Sequence, residues 1–397
     1  MAEPTLIKIE PSILVWARTS LGLTVDEVAK KMGKRVEQIL AWEKGEEIPT
    51  YVQLEKLAYE VYKRPLAIFF MQQAPNDESL KRDFRTLSTQ DIESIPADVR
   101  YVVRKVKSHQ MSLEELFSSD NPYDIQGLTK KFKFDIGERD KNKVKQIREL
   151  LKLDDGIRAT NSQDEFFTFC RNALAKSGVF VFQYPFGEIS IRGFCLHHEE
   201  FPAIVANSKD TSAAKLFTIF HELCHLLCDG GDVFFESKNK QAVAQSQKIE
   251  QFCNWFAAEL LLPDTLVADN NVLIKVIHNT REIPEVELNN FAKGFKVSSE
   301  VLLRKLVSLG YVDPEYYSYM RDIWTDRWKK HQNDKKESAK KGGPTHFTTR
   351  VSQMGKPYVQ TVLDSYFGGK IGVYEAADYL NTKIKNISGF SDLIYRQ

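Results

Sequence analysis

Apolar residues recur at helical spacing through residues 11–70. Ile13, Leu14, Ala17 and Leu21 form one block, Val25, Val28, Ala29 and Met32 a second, and Leu54, Leu57, Ala58 and Val61 another. Between the last two, Gly33 marks a turn, and Ile39, Leu40 and Trp42 make a further amphipathic block. Thr24 followed three residues later by Glu27 has the spacing of a capping box, which starts a helix. Short helices joined by tight turns predict an all-α helix-turn-helix domain over 8–74.

The pattern then loosens. Residues 75–141 are polar and mixed and read as a helical connector, with one helix beginning at Ile95-Pro96-Ala97 and running through Val102, Val103 and Val106. From Asn142 it tightens again. Helices are predicted over Lys143–Leu151 and Glu165–Ala175, and Gly178 breaks the chain before three strand candidates. These are Val179–Tyr184, Ile189–Leu196 and Ala203–Ala206. A cap-rich loop, Asn207 to Asp210, leads into a long helix over Ala213–Cys228, stopped by Asp229-Gly230-Gly231. A second helix covers Ser246–Leu262 and ends at Pro263, and residues 286–330 are helical again. The fold class is therefore α+β. A domain over 142–310 holds a small sheet, and a helical C-terminal region follows over 311–397. Arg327–Lys341 carries seven basic and two acidic residues before Gly342-Gly343-Pro344, so 327–344 reads as a solvated basic linker.

Composition adds exclusions rather than a function. The chain is 42% hydrophobic and 27% charged with a formal net charge of +1, so any argument for nucleic acid must be local. The start lacks the layout of a secretory signal, and no run of about 18 apolar residues exists, so no membrane span is expected. The five cysteines are odd in number and lack disulfide-rich spacing. Reduced thiols in a cytoplasmic protein are expected.

The candidate chemistry lies on the two helices after the strands. His221-Glu222-Leu223-Cys224-His225 places two imidazoles one helical turn apart, able to share one cation, and sets Glu222 beside the first as a general base. Catalytic zinc takes three protein ligands and leaves one position open. On the next helix Glu250 and Asn254 lie one turn apart at the edge of an apolar stripe of Ile249, Phe252, Cys253, Phe256 and Leu260. Glu250 there could be the third ligand, and Asn254 could orient a ligand by a hydrogen bond. Other readings stay open: Cys224 or Cys228 as a fourth ligand of a closed site, redox control through Cys224, Asp229 bonded to a ligand, or a peptidase fold that binds without cutting. His197, His198 and His278 are candidates for an oxyanion donor, and none is chosen.

His-Glu-Leu-Cys-His followed by Glu250-Gln-Phe-Cys-Asn254-Trp-Phe-Ala-Ala-Glu-Leu-Leu-Leu-Pro263 resembles the ImmA/IrrE family of zinc metallopeptidases, a gluzincin-like group. The lead-in Ile204-Val-Ala-Asn-Ser-Lys-Asp210 fits as well, and the likeness covers about 142–309. The resemblance implies Zn2+ held by His221, His225 and Glu250. Cys224 and Cys253 stand where small residues are usual in the family. In such a fold the strand before the zinc helix often lies at the sheet edge, so Ala203–Ala206 is expected there, open to pairing with an extended peptide substrate.

Residues 13–70 resemble the Xre/Cro-type helix-turn-helix family through Arg18, Gly22-Leu23-Thr24, Glu27, Ala29, Gly33, Trp42-Glu43, Gly45, Pro49 and Leu54-x-x-Leu57-Ala58. The resemblance makes Val36–Trp42 a recognition helix. Arg35, Glu37 and Gln38 would face base edges, and Lys34 and Lys44 would face phosphates of double-stranded DNA. Residues 1–74 hold ten basic and ten acidic side chains, and Glu43, Glu46 and Glu47 cluster where phosphates would approach. Protein contact is therefore the rival use. At the level of the whole chain two functions follow: a regulatory endopeptidase cutting a repressor or antitoxin-like partner, or a non-cleaving transcriptional repressor whose peptidase-like domain acts as a sensor.

Overall fold

The computed structural model describes residues 9–75, 95–117, 127–187, 191–228, 240–280, 282–337 and 345–395. The chain divides into two compact units. One holds the described residues up to Lys107 together with Phe186 and Gly187, and the other holds the rest from Ser108 onward.

The first unit is all-α. Helices α1 (Pro11–Ser20), α2 (Val25–Met32), α3 (Val36–Lys44) and α4 (Tyr51–Lys56) follow one another, and α4 continues into a wider π-helical turn over Leu57–Val61. Thr24 and Thr50 each form a complete capping box, which satisfies backbone N–H groups at the starts of α2 and α4. Gly33 ends α2 in the left-handed conformation (φ 66°), where a side chain would be strained. The apolar positions of the periodic blocks meet in one core of Ile13, Leu14, Ala17, Val28, Ile39, Trp42, Leu54 and Leu57, with Leu40 alone left exposed. Arg18 ties α1 to α3 by two bonds to Glu43, at 2.7 and 2.9 Å. The early residues of α5 (Ala97–Phe117) add Ala97 and Tyr101 to this core.

The second unit begins with the remainder of α5. It continues through α6 (Leu128–Lys131), α7 (Lys141–Leu150), α8 (Leu153–Ala159) and α9 (Gln163–Lys176) to strands β1 (Phe180–Tyr184), β2 (Gly193–Leu196) and β3 (Ala203–Asn207). Helices α10 (Ser212–Leu227), α11 (Lys240–Leu261), α12 (Asp264–Ala268), α13 (Asn271–Thr280), α14 (Glu285–Gly294), α15 (Ser299–Ser308) and α16 (Pro314–Glu337) follow. The last four are α17 (His346–Met354), α18 (Lys356–Phe367), α19 (Val373–Tyr379) and α20 (Ile387–Tyr395). The fold is α+β. Among the described residues no helix is long and apolar enough to cross a membrane.

The strands lie in the order β1-β3-β2, with β3 parallel to β1 and antiparallel to β2. This corrects the expectation that Ala203–Ala206 is an edge strand. Its backbone pairs with Phe180–Gln183 on one side and with Gly193–Leu196 on the other, so no substrate strand can add to it. The second strand is also shorter than its apolar run: it starts at Gly193, and Ile189 lies outside the described residues.

The pleat sorts the side chains. Val181 and Gln183, Ile204 and Ala206, and Gly193 and Cys195 share one face. Helix α10 covers it, and Lys215 Nζ donates to Gln183 Oε1 at 2.9 Å. Phe180, Phe182 and Tyr184 take the other face. There His109 of α5 stacks on Phe182, with ring centroids 5.0 Å apart. Its ring nitrogens lie 2.8 Å from the Tyr184 hydroxyl and 3.0 Å from that of Tyr358 on α18. Both faces are thus buried, which explains why β1 and β3 read as near-continuous apolar runs.

Buried cations close helix ends. Arg148 donates to the Leu260 and Leu261 carbonyls at the end of α11, and Arg171 to the Ser352 carbonyl near the end of α17 (2.8 Å) and to Val181 of β1 (2.7 Å). Lys305 of α15 pairs with Glu259 and Asp264, and Lys141 reaches Asp264 as well. The basic run read as a linker begins inside α16, which extends to Glu337. Lys, Arg, Gln and Glu favour helix, so a solvated composition does not require an irregular backbone.

Candidate metal centre

Helix α10 carries the His-Glu-x-x-His stretch. Thr211 caps its start by accepting from the Ala214 N–H at 3.3 Å. Leu216, Ile219, Phe220, Leu223 and Leu227 anchor it in the core. That anchoring fixes the rotation at which His221 and His225 emerge one turn apart. Helix α11 packs along α10 and is anchored through Phe252, Cys253, Phe256 and Leu260. Glu250 and Asn254 therefore face the two imidazoles.

The three expected ligands come together. His221 Nε2 lies 3.1 Å from Glu250 Oε2, and His225 Nε2 lies 3.4 Å from Glu250 Oε1. The two Nε2 atoms are 3.1 Å apart. Among the described residues, this is the one group of His, Cys, Asp or Glu side chains whose ligand atoms all fall within 4.8 Å of one another. Cys224 and Cys228 do not belong to it, which counts against a fourth thiolate ligand.

Asn254 sits where the sequence placed it. Its Oδ1 lies 3.1 Å from His221 Nδ1. An amide oxygen only accepts, so it holds the proton on Nδ1 and leaves the Nε2 lone pair directed at Glu250 and His225. A donor set of two imidazoles and one carboxylate suits zinc. The electrostatics agree. Burial works to lower the His221 imidazole, but Glu250, Glu222 and Asn254 outweigh it and hold it above its ordinary value. Burial likewise works to raise Glu250, yet the bonds and charges of the two histidines hold its carboxyl far below the usual range. Both shifts say that this cluster favours positive charge at its centre.

Glu222 lies beside the cluster. Its carboxyl is held above its ordinary value, chiefly by burial, against the pull of His225 and His221. Strand β2 lies close to it, at Gly193. The motif did not point to this approach, because it joins residues 193 and 222 through the sheet. The one available signal was Gly193, a strand residue without a side chain. A Cβ there would lie 2.3 Å from Thr218 Cγ2 and 3.7 Å from Glu222 Cγ, so β2 can lie against α10 at that point only as glycine.

Other candidates fall elsewhere. His198 Nδ1 accepts the backbone N–H groups of Glu200 and Phe201, at 3.2 and 3.1 Å, which is a turn-forming role. Asp229 lies outside the described residues, as does the side chain of His278. Cys224, Cys228 and Cys253 are buried together, and burial pushes the Cys224 thiol far up, as expected of inert packing thiols. In the first unit Arg35 and Glu37 are exposed and Gln38 is half-buried at the start of α3. Glu43 was expected to oppose phosphates. It is instead neutralised by Arg18, and only Glu46 and Glu47 of that cluster stay exposed.

Comparison with protein families agrees with both halves of this description. Residues 174–307 match a peptidase-family model described as the IrrE N-terminal-like domain, and residues 14–58 match a helix-turn-helix model. No curated protein and no solved structure matches the chain. The chain thus carries an IrrE N-terminal-like domain and an Xre-type helix-turn-helix domain.

Proposed function

We propose that this protein is a zinc-dependent regulatory endopeptidase that cuts a partner protein such as a repressor or antitoxin-like factor. The observation that carries the reading is the convergence of His221, His225 and Glu250, with Asn254 setting the His221 tautomer and Glu222 alongside. Zinc held there supplies Lewis acidity, polarising a carbonyl and lowering the pKa of a water to about 7. The chain's own residues do the rest. His221, His225 and Glu250 would hold the cation. Glu222 accepts the proton of the attacking water and returns it to the leaving amine. Its burial favours the neutral form and so makes it a stronger base than an exposed glutamate. The helix-turn-helix domain would bring the peptidase to DNA or to a protein partner.

The test uses the full chain. Zinc is measured by elemental analysis, and cleavage is scored by co-expression with the product of the neighbouring gene. About one zinc per chain is expected, lowered in His221→Ala, His225→Ala and Glu250→Ala. Glu222→Gln should keep its zinc and lose cleavage, because an amide cannot take the proton. Cleavage at the normal rate by Glu222→Gln would remove that residue as the base. A partner that binds uncut by the wild type would favour the sensing repressor.

A further inference from the structure

A cavity of about 340 Å³ lies among α8, α12 and α14 and shares no lining residue with the metal cluster. Ile157, Leu266, Phe291 and Phe295 give it an apolar wall. Gly294 lines it from the last turn of α14, and a Cβ built there would meet nothing within 4 Å, so open space begins at the glycine itself. Two charged residues of α8, Asp154 and Arg158, line it one helical turn apart. Opposite charges at that spacing commonly pair with each other. Here each is held elsewhere: Asp154 accepts from Arg148 at 2.6 Å, and Arg158 donates to Asp155 at 2.6 Å. An anion and a cation therefore stand side by side at the cavity without cancelling. Both remain reachable. Half of the Asp154 side chain is exposed, and Arg158 and Asp155 form a surface pair of the kind that contributes little and is readily exchanged. Asn270 adds an amide whose Oδ1 accepts from the Leu273 N–H at 3.0 Å, so what it has left for a ligand is chiefly N–H.

We propose that this cavity binds a free apolar α-amino acid, of the size of leucine or phenylalanine. The ligand carboxylate pairs with Arg158, its ammonium with Asp154, and its side chain is buried against Phe291 and Phe295. The choice of class follows from the charges. A simple carboxylate would set its apolar body beside Asp154, and a simple amine would set its own beside Arg158, each at a desolvation cost. A zwitterion with an apolar side chain answers both charges with adjacent groups and leaves only hydrocarbon for the rest of the cavity. Guanidinium is also the donor best matched to a carboxylate, which it can take in a two-pronged bond. Size agrees, because pockets for small ligands run from roughly 300 to 1,000 Å³ and this one lies at the small end. The inference requires no cleavage and stands apart from the reading of the metal centre.

Calorimetric titration of the full chain with L-phenylalanine and L-leucine tests this. Both should bind saturably, at one site per chain and below millimolar concentration. L-Phenylalaninamide, which lacks the carboxylate, should bind about tenfold more weakly than phenylalanine, and so should N-acetyl-L-phenylalanine, which lacks the ammonium. Arg158→Gln should lose about tenfold for phenylalanine and nothing further for the amide, because the two losses remove the same bond. Gly294→Leu places a side chain in the cavity from a helical position where leucine is favoured over glycine. It should keep the unfolding temperature of the wild type and abolish binding. Absence of saturable binding by both amino acids would overturn the inference. Binding that survives Gly294→Leu would overturn it as well, by placing the ligand outside the cavity. Equal losses for acid and amide in Arg158→Gln would do the same, since the carboxylate would then lie on some other group.

Discussion

Asn254 decides which nitrogen of His221 is offered to a cation. Its Oδ1 accepts from Nδ1, so Nε2 is left as the donor atom. Asn254→Ala should leave the fold intact and weaken zinc binding by about 10–100-fold, measured by competition with a chelator. Asn254→Asp keeps the acceptor and should lose less. Equal affinity in wild type and Asn254→Ala would show that the tautomer is set some other way. Glu222, His221 and His225 were legible in the sequence because they sit within one turn and a helix fixes their relation. Glu250 and Asn254 needed the next helix to cross the first. Its apolar stripe through Phe252, Phe256 and Leu260 gave its rotation but not its crossing. The approach of Gly193 to Glu222 was not legible, since no local pattern says which strand face will meet which helix.

At the scale of elements, one ionic knot joins four helices. Lys305 of α15 is buried with Glu259 of α11 and paired to Asp264 at the start of α12, and Lys141 of α7 completes it. Lys305→Ala would leave Glu259 buried without its partner and should cost about 3–5 kcal/mol in urea unfolding. A loss under 1 kcal/mol would mean that water replaces the lysine. The pH dependence follows from Asp264. Partial burial would raise its carboxyl, but the bonds from Lys141 and Lys305 outweigh it and hold it below the usual range. A depressed value stabilises the folded state above the unfolded value, near ~3.9, and that contribution is lost as pH falls toward the folded one. Asp264→Asn should therefore show a shallower fall in stability below about pH 4 than wild type. Parallel curves would remove Asp264 from the acid response. Element types and most boundaries were legible from periodicity, as for α10, where Thr211 supplies the cap. Strand order was not. Ala203–Ala206 is apolar throughout, which says that it is buried but not that it lies between two neighbours. The stretch ahead of β2 offered no mark of where pairing would start.

The molecule as a whole combines a small helical unit with a larger α+β unit, and the division falls between Lys107 and Ser108, inside the stretch 75–141 read as a helical connector. Net charge gave less guidance. The acidic cluster at the end of α3 looked hostile to phosphates until Glu43 proved to be held by Arg18, a pairing across 25 residues that periodicity does not reveal. With Glu43 neutralised, the exposed start of α3 offers Arg35 to a groove, with Lys34 beside it. If this unit reads DNA, Arg35→Ala in the full chain should weaken binding to a promoter fragment of its own gene by about 1–3 kcal/mol, without changing zinc content. Gel-shift titrations at several salt concentrations measure both affinity and salt slope. Absence of any salt-sensitive binding would assign the unit to protein contact.

The end of the chain is held by what it touches rather than by what precedes it. Tyr358 is buried against His109 and Phe182, and Arg171 grips the last turn of α17. Those contacts should therefore keep α17 to α20 in place without backbone continuity between Glu337 and Thr345. Divided there, the polypeptide would behave as a pair of complementing fragments, two chains reconstituting one fold. Co-expressed from separate reading frames, they should elute as a single particle. Separate elution would mean that the tether, and not the seat, keeps the last helices in place.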